Sequence, residues 1–235
     1  MDDVLRTYSP GERREETWLG AANGPAGPAN TSAVREGDDM TLIVPEMGDS
    51  EPEHFGWFGA EADKATVRVY QDGKRLAETT RALWMLSVSP DPATYRITMD
   101  TEHPAWFPLS TKTSTAWTFK SARPANGEED LALLWPRYGL GLDAQNTTQG
   151  GNTYHFDLAF VLQNGATPDI DGVEVEASSD DGATWQPAKV KSKSDGSYKV
   201  SVSNPDSGHV SLRVKAQDTN GSKIEQTLIK AYAIR

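Results

Sequence analysis

The chain of 235 residues contains no cysteine, which excludes disulfide staples, a thiolate nucleophile and any cysteine-based zinc site. The compartment stays open, because a β domain of ordinary size stands without disulfides. Positive charge is scarce: 23 Lys and Arg stand against 34 Asp and Glu, giving a net charge of -11 with no basic stripe. Such a field repels polyanions, so nucleic acid is not an expected partner. Long apolar runs are missing, and none approaches the roughly 18 residues of a membrane-spanning helix. The start, "MDDVLRTYSPGERREETW", does not place a basic segment before an apolar one. An export signal is therefore expected outside this chain, which reads as a piece of something longer. Histidine is limited to His54, His103, His155 and His209. None lies near a Gly-x-Ser-x-Gly elbow or forms a helical zinc pair, and no glycine-rich phosphate loop is present. Peptidase, sialidase and nucleotide-dependent activities of this chain are not expected.

What the sequence does contain is period-two alternation, with no convincing helical stripe. In "GVEVEA", Val173, Val175 and Ala177 alternate with Glu174 and Glu176, and "SYKVSVS" and "HVSLRVKA" repeat the pattern. Asp181-Gly182 marks a turn between such strands. A face made this way must be covered by a second sheet, so the fold class is all-β. Two consecutive antiparallel β-sandwiches are expected, the second immunoglobulin-like or fibronectin III-like. Residues 1–37, rich in Gly, Pro and Ala, read as an extended arm or linker. The first sandwich is expected over 38–121, with Met40, Leu42 and Val44 on one side. Its clearest hairpin has Val67 and Val69 inside, Asp72-Gly73 at the turn and Leu76 on the return. The second sandwich is expected over 122–235. "LALLW" is read as its first strand, ended by Pro136, and its core as Phe156, Leu158, Val173, Val175, Trp185, Val200, Leu212, Val214 and Ile229.

Candidate contact residues lie in the first third of the chain. His54, Phe55, Trp57 and Phe58 sit in a glycine-rich loop, where aromatics either stack on a sugar or peptide or fold back over the sandwich end. Trp18 stands alone in the arm and is expected to dock on a neighbouring domain. Asp169 and Asp171 in "PDIDG", and Asp180 and Asp181 in "SSDDG", offer oxygen donors of the kind calcium takes, without EF-hand spacing. The competing reading is that these carboxylates cap their own turns, and no other cofactor is expected. Asn30-Thr31-Ser32 and Asn146-Thr147-Thr148 match the glycosylation acceptor pattern.

The order "TAWTFKS", "LALLWPRYGLGLDAQN", "DGVEVEASSDDGATW" and "GHVSLRVKAQDTNGSKIEQTLIKAY" resembles the C-terminal non-catalytic region of large secreted subtilisin-like serine peptidases of actinobacteria. The resemblance covers about residues 36 to 235. The blocks that would carry the catalytic Asp, His and "Gly-Thr-Ser-Met-Ala" nucleophile are absent, so no catalytic residue transfers. The resemblance implies an extracellular or cell-surface accessory role beside a subtilisin-like catalytic domain in cis. Stabilising the enzyme, positioning substrate or attaching to an envelope or extracellular polymer would all serve it. "SSDDGATW" also resembles the Asp-box of sialidase-like propellers, with Ser178, Asp180, Gly182, Thr184 and Trp185 on the pattern. One copy supports a structural hairpin and not a propeller, which needs at least four blades. Similar hairpins occur in immunoglobulin-like modules, including the dimerisation domain of molybdenum-dependent sulfite-oxidising enzymes. The alternative function is a carbohydrate- or peptide-binding adhesion module using the aromatic loop 51–60.

Overall fold

The computed structural model describes residues 7–13, 18–49, 51, 53–58, 64–80, 83–103 and 107–235. Their only helical element is a three-residue 3-10 turn, Pro28–Asn30; the regular structure is otherwise β. Among the described residues no helix is long and apolar enough to cross a membrane.

The first half contains β1 (Ser32–Glu36), β2 (Asp39–Ile43), β3 (Lys64–Gln71), β4 (Lys74–Thr79), β5 (Leu83–Ser87), β6 (Ala93–Glu102) and β7 (Lys112–Ser121). The chain then passes through β8 (Glu128–Asp130) into β9 (Leu134–Gly139), β10 (Thr147–Thr148), β11 (Thr153–Leu162), β12 (Ile170–Ser178) and β13 (Gln186–Pro187). It ends with β14 (Lys189–Ser192), β15 (Tyr198–Ser203), β16 (Gly208–Asp218) and β17 (Lys223–Ile234). In the second half one sheet runs β14-β15-β11-β9 and the other β13-β12-β16-β17. With β9, β11, β14 and β15 as strands A, B, D and E, and β12, β16 and β17 as C, F and G, this is the constant-type immunoglobulin arrangement. The first half follows the same Greek-key scheme. β5-β2-β1 supplies E, B and A, while β4 joins β3, β6 and β7 on the other sheet, as C′ does in variable-type domains.

The pleat explains the burial. Met40, Leu42, Val67, Val69, Tyr95, Ile97, Met99, Trp117 and Phe119 point inward at every second position, and all belong to the buried core. Phe156, Leu158, Val175, Val200, Leu212 and Val214 do the same in the second half. Three residues expected in the second core are only half-buried: Val173, Trp185 and Ile229. β17 turns its even positions inward, so Ile224, Leu228 and Tyr232 take the place expected of Ile229. Leu76 is 38% exposed, because β4 forms the end of its sheet. Nor does Pro136 end a strand: β9 runs through it, paired with Phe160. Its missing N–H is tolerated because β9 is an edge strand.

The two sandwiches do not sit side by side as separate beads. β7 and β17, the G strands of the two halves, pair antiparallel, with Trp117 opposite Ile224 and Thr115 opposite Gln226. One sheet thus runs without a break from β4 to β13, across the expected boundary at 121/122. Arg96 of β6 reaches over the junction to Glu225 of β17 at 3.0 Å. From the other side, β8 adds to β1 and ties the connector back to the first half. The buried apolar residues of both halves form a single cluster.

The segment expected to be an arm is the largest departure. β1 lies within it, with Ala33 and Arg35 buried, so the first sandwich starts at residue 32 and not at 38. Ahead of β1, Ala21, Ala22, Asn23 and Ala26 are buried as well. This stretch is a strap laid along the junction: Gly24 exchanges hydrogen bonds with Gly48, and the Gln163 amide donates to Thr31 O at 2.8 Å. A Cβ on Gly48 would stand 2.8 Å from Ala26 Cα, and one on Gly24 3.0 Å from Gln226 Nε2. Only small residues pass here. The Gly-Ala-Pro composition that resembles a linker reflects close packing.

Candidate functional site at the junction

The strap brings the candidate aromatic residues together. His54 is buried, and its Nδ1 lies 3.0 Å from Asp49 Oδ2. The same carboxylate accepts the N–H of Leu19 and that of Glu51, each at 2.8 Å. Trp18 stacks on the imidazole with ring centroids 3.9 Å apart and planes 14° apart. This His–Asp pair resembles half of a hydrolytic triad in composition only. The carboxylate is spent on backbone donors and the ring is covered by an indole, so the cluster is a knot that fastens strap to loop. Trp18 thus packs on a loop of this chain itself and remains 45% exposed.

The rest of the aromatic loop divides. Phe58 is half-buried, packs edge-on against His103 at 5.6 Å and donates its N–H to Glu46 Oε2. Phe55 is half-buried in the short pairing of Met47 with Gly56. Trp57 is 45% exposed, as is Trp18. Gly59 and Ala60, at the end of the expected loop, lie outside the described residues. Single substitutions should separate the roles. Phe58→Ala is expected to destabilise by about 1–2 kcal/mol, less than a fully buried ring. Trp57→Ala is expected to change stability by less than about 0.5 kcal/mol. Urea melts of the two variants check this, and a large loss in Trp57→Ala would make that ring a plug instead of a contact surface.

The "SSDDGATW" hairpin is self-contained. Ser178 Oγ donates to Asp180 Oδ1 at 2.7 Å and accepts the Gly182 N–H at 2.9 Å. Asp180 also accepts the Thr184 N–H at 2.8 Å and the Thr184 hydroxyl at 2.6 Å. Gly182 adopts φ +87°, and a Cβ there would stand 2.9 Å from Ile229 Cδ1 and 3.1 Å from the Trp185 ring. Trp185 lies under the Arg213 guanidinium at 4.1 Å, and Arg213 pairs with Glu176 at 2.9 Å. Trp185 and Ile229 therefore clasp the hairpin against the outer side of the long sheet. The Thr184 donors and the Ser178 hydroxyl pull the Asp180 carboxyl down to about 2 from the usual 3.8. A depressed carboxylate contributes stability that is complete above its unfolded value and is lost as pH falls through the folded one. Asp180→Asn is thus expected to flatten the acid limb of the stability curve between 3.8 and about 2. Thermal melts at stepped pH test this; an acid limb identical to the parent's would remove Asp180 as its source.

The four candidate calcium ligands do not converge. Asp180 is committed to its hairpin and Asp181 faces Lys230 at 3.4 Å. Asp169 offers its backbone carbonyl to the Thr219 N–H at 2.9 Å, and Asp171 is exposed. Among the described residues no three His, Asp or Glu side chains are placed to hold a metal. The Asn146 side chain is equally engaged: it accepts from Ala21 N and donates to Leu19 O, fixing the strap to the second half.

Sequence reasoning missed the polar residues along the other side of the strap. Arg137, on β9, is half-buried and makes no hydrogen bond or ion pair with any described residue. Burial pushes its guanidinium below the ordinary value, and no carboxylate opposes that. Arg137 and Tyr138 line a small, partly open cavity of about 30 Å³ together with Gly24, Gly27, Trp135 and Gln226. They also line an open groove of about 760 Å³ with Pro28, Ala29, Val161 and Gln163. Tyr138 donates to Gln226 Oε1 at 2.8 Å, and the Gln226 amide donates to Thr115 Oγ1 at 3.1 Å, so this wall is braced from beneath the junction. Nε1 of Trp135 and Oε1 of Gln163 are buried without a hydrogen-bond partner among the described residues, as are Oδ1 of Asn23 and the Tyr95 hydroxyl. Residues 27, 137 and 163 converge only through the fold, so no local spacing could have flagged them.

The fold and the junction define a class: a tandem of immunoglobulin-type β-sandwiches fused through one continuous sheet. No protein-family model matches the chain, and no curated protein matches it. Solved structures similar to it include the fibronectin(III)-like modules of CbhA from Clostridium thermocellum. That match has 10% identity, covers 89% of this chain and 94% of that one, and has a TM-score of 0.23. Extracellular domains 3–5 of Drosophila OTK match at 11% identity, covering 87% and 99%, with a TM-score of 0.20.

Proposed function

We propose that this chain is the non-catalytic accessory region of a secreted subtilisin-like serine peptidase, acting in cis as a stiff platform for the catalytic domain. The observation that carries the reading is the strap. Residues 18–31 are built into the junction of both sandwiches, so a domain joined ahead of them would be held by the whole tandem and not by a free linker. The resemblance of the four sequence blocks to such regions supports the same role, as does the structural use of the Asp49–His54 pair and of Asp180. An extracellular location fits it. The reading frame upstream of residue 1 provides the test: a subtilisin-like catalytic block there is expected, and a start codon with no preceding domain would overturn the assignment. The isolated chain is expected to turn over neither casein nor a fluorogenic sialoside. Turnover that scales with protein and survives repurification would defeat that part.

A second reading rests on the exposed rings of Trp18 and Trp57, which suit stacking on a glycan or a peptide of an envelope or extracellular polymer. Polymer binding that survives high salt and is abolished by Trp57→Ala with Phe58→Ala would favour it.

A further inference from the structure

We infer that the groove beside the strap binds the C-terminal carboxylate of an extended peptide, with Arg137 as its anchor. The first argument is charge. With 34 acidic side chains in the chain, a half-buried guanidinium would readily find a carboxylate, yet Arg137 has no partner among the described residues. A planar two-pronged donor left open to a groove matches a carboxylate better than any other common group.

The second argument is the acceptor nearby. Gln163 also lines the groove, and its Oε1 is buried without a donor while its amide nitrogen is held by Thr31 O at 2.8 Å. That hydrogen bond fixes the amide orientation and leaves the oxygen unpaired among the described residues, so a small shift of the atoms covering it would let it accept a ligand N–H. A peptide end carries both complements close together: a carboxylate for Arg137 and an amide N–H for Gln163. Pro28, Ala29 and Val161 give the remainder an apolar wall.

The third argument is the shape of the site, and it selects a chain end over an acidic side chain in a continuous segment. Arg137 and Tyr138 line both the open groove of about 760 Å³ and the small cavity of about 30 Å³, so the space narrows sharply past the guanidinium. A peptide arriving from the open side meets a space with room for a water or two. That suits a chain end better than a segment that continues past Arg137.

Gly27 offers a way to move the anchor without deleting it. A Cβ at residue 27 would stand 2.4 Å from Nη2 and 2.7 Å from Nη1 of Arg137, so Gly27→Ala should displace the fork. Its backbone, at φ -74°, accepts alanine.

The test uses the full chain and N-acetylated hexapeptide pools, with binding read by calorimetry and by amide chemical shifts. One pool ends in Ala, Val or Leu as free acids, the second is the same pool amidated at its C-terminus, and the third is amidated with an internal Glu. The free acids are expected to bind about tenfold or more tightly than either amidated pool. Arg137→Gln and Gly27→Ala should each remove that preference while the melting curve stays close to the parent's. Equal binding of acids and amides, or no binding of the acids, would overturn the site without any variant. Equal binding of the internal-Glu pool would overturn the chain-end assignment.

Discussion

Val214→Asp is expected to abolish the folded state of the whole chain, and not of the second sandwich alone. Val214 is fully buried on β16, opposite Gln226 of β17, and Gln226 is in turn opposite Thr115 of β7. A carboxylate there has no partner, and burying it costs several kcal/mol even after it takes up a proton. That is a large part of the roughly 5–15 kcal/mol by which a domain is stable. Since β17 is bonded to β16 on one side and β7 on the other, loss of the second half would strip the first of its neighbour along β7. Circular-dichroism melts should show no cooperative transition. An unchanged melt would show that Val214 does not face the core. A surviving transition of half the amplitude would show that the sandwiches hold independently.

Trp117→Ala should cost about 3–5 kcal/mol, the range for deleting a fully buried large aromatic. Trp117 is 1% exposed, and its indole N–H donates to Leu134 O at 2.9 Å, joining β7 of the first half to β9 of the second. Its ring lies 4.9 Å from that of Trp135. The variant therefore leaves a cavity and strands a buried carbonyl, which adds about 1 kcal/mol or more. Trp117→Phe should recover much of the packing but not the hydrogen bond. Urea denaturation of the three proteins measures both contributions. A loss below about 1.5 kcal/mol in Trp117→Ala would mean that the junction collapses around the missing ring.

Strands were legible where a single face is buried and the turn is local. Asp72-Gly73 joins β3 to β4 with positive φ at both residues, 46° and 80°, as the hairpin reading of those two residues requires. Tyr95, Ile97 and Met99 announce β6 by alternation alone. The strap was not legible, because "GAANGPAGPAN" has the composition of a linker; small residues serve solvated flexibility and close packing equally well. Pairing of β7 with β17 joins residues more than a hundred positions apart, and no propensity encodes that. β17 was misread by one position, since Leu228 and Ile229 are both apolar and only the register shows which faces the core. Of the candidate contacts, the Trp18–His54 stack depends on two loops meeting; Arg137, which was not among them, carries no local signal beyond a charge beside a proline. Its lack of a partner is visible only in three dimensions.

The pairing of the two G strands also bears on how such a chain can change over generations. Ordinary tandem sandwiches recombine like beads, because each carries its own edges and exchanges as a cassette. Here an exchange would expose β7 as an unpaired edge on one side and β17 on the other, open to pairing with other copies of the chain. Gln226 and Thr115 would also lose the hydrogen bond they share across the junction. Duplication or shuffling of one half without the other is thus expected to carry an aggregation penalty that ordinary tandem sandwiches avoid.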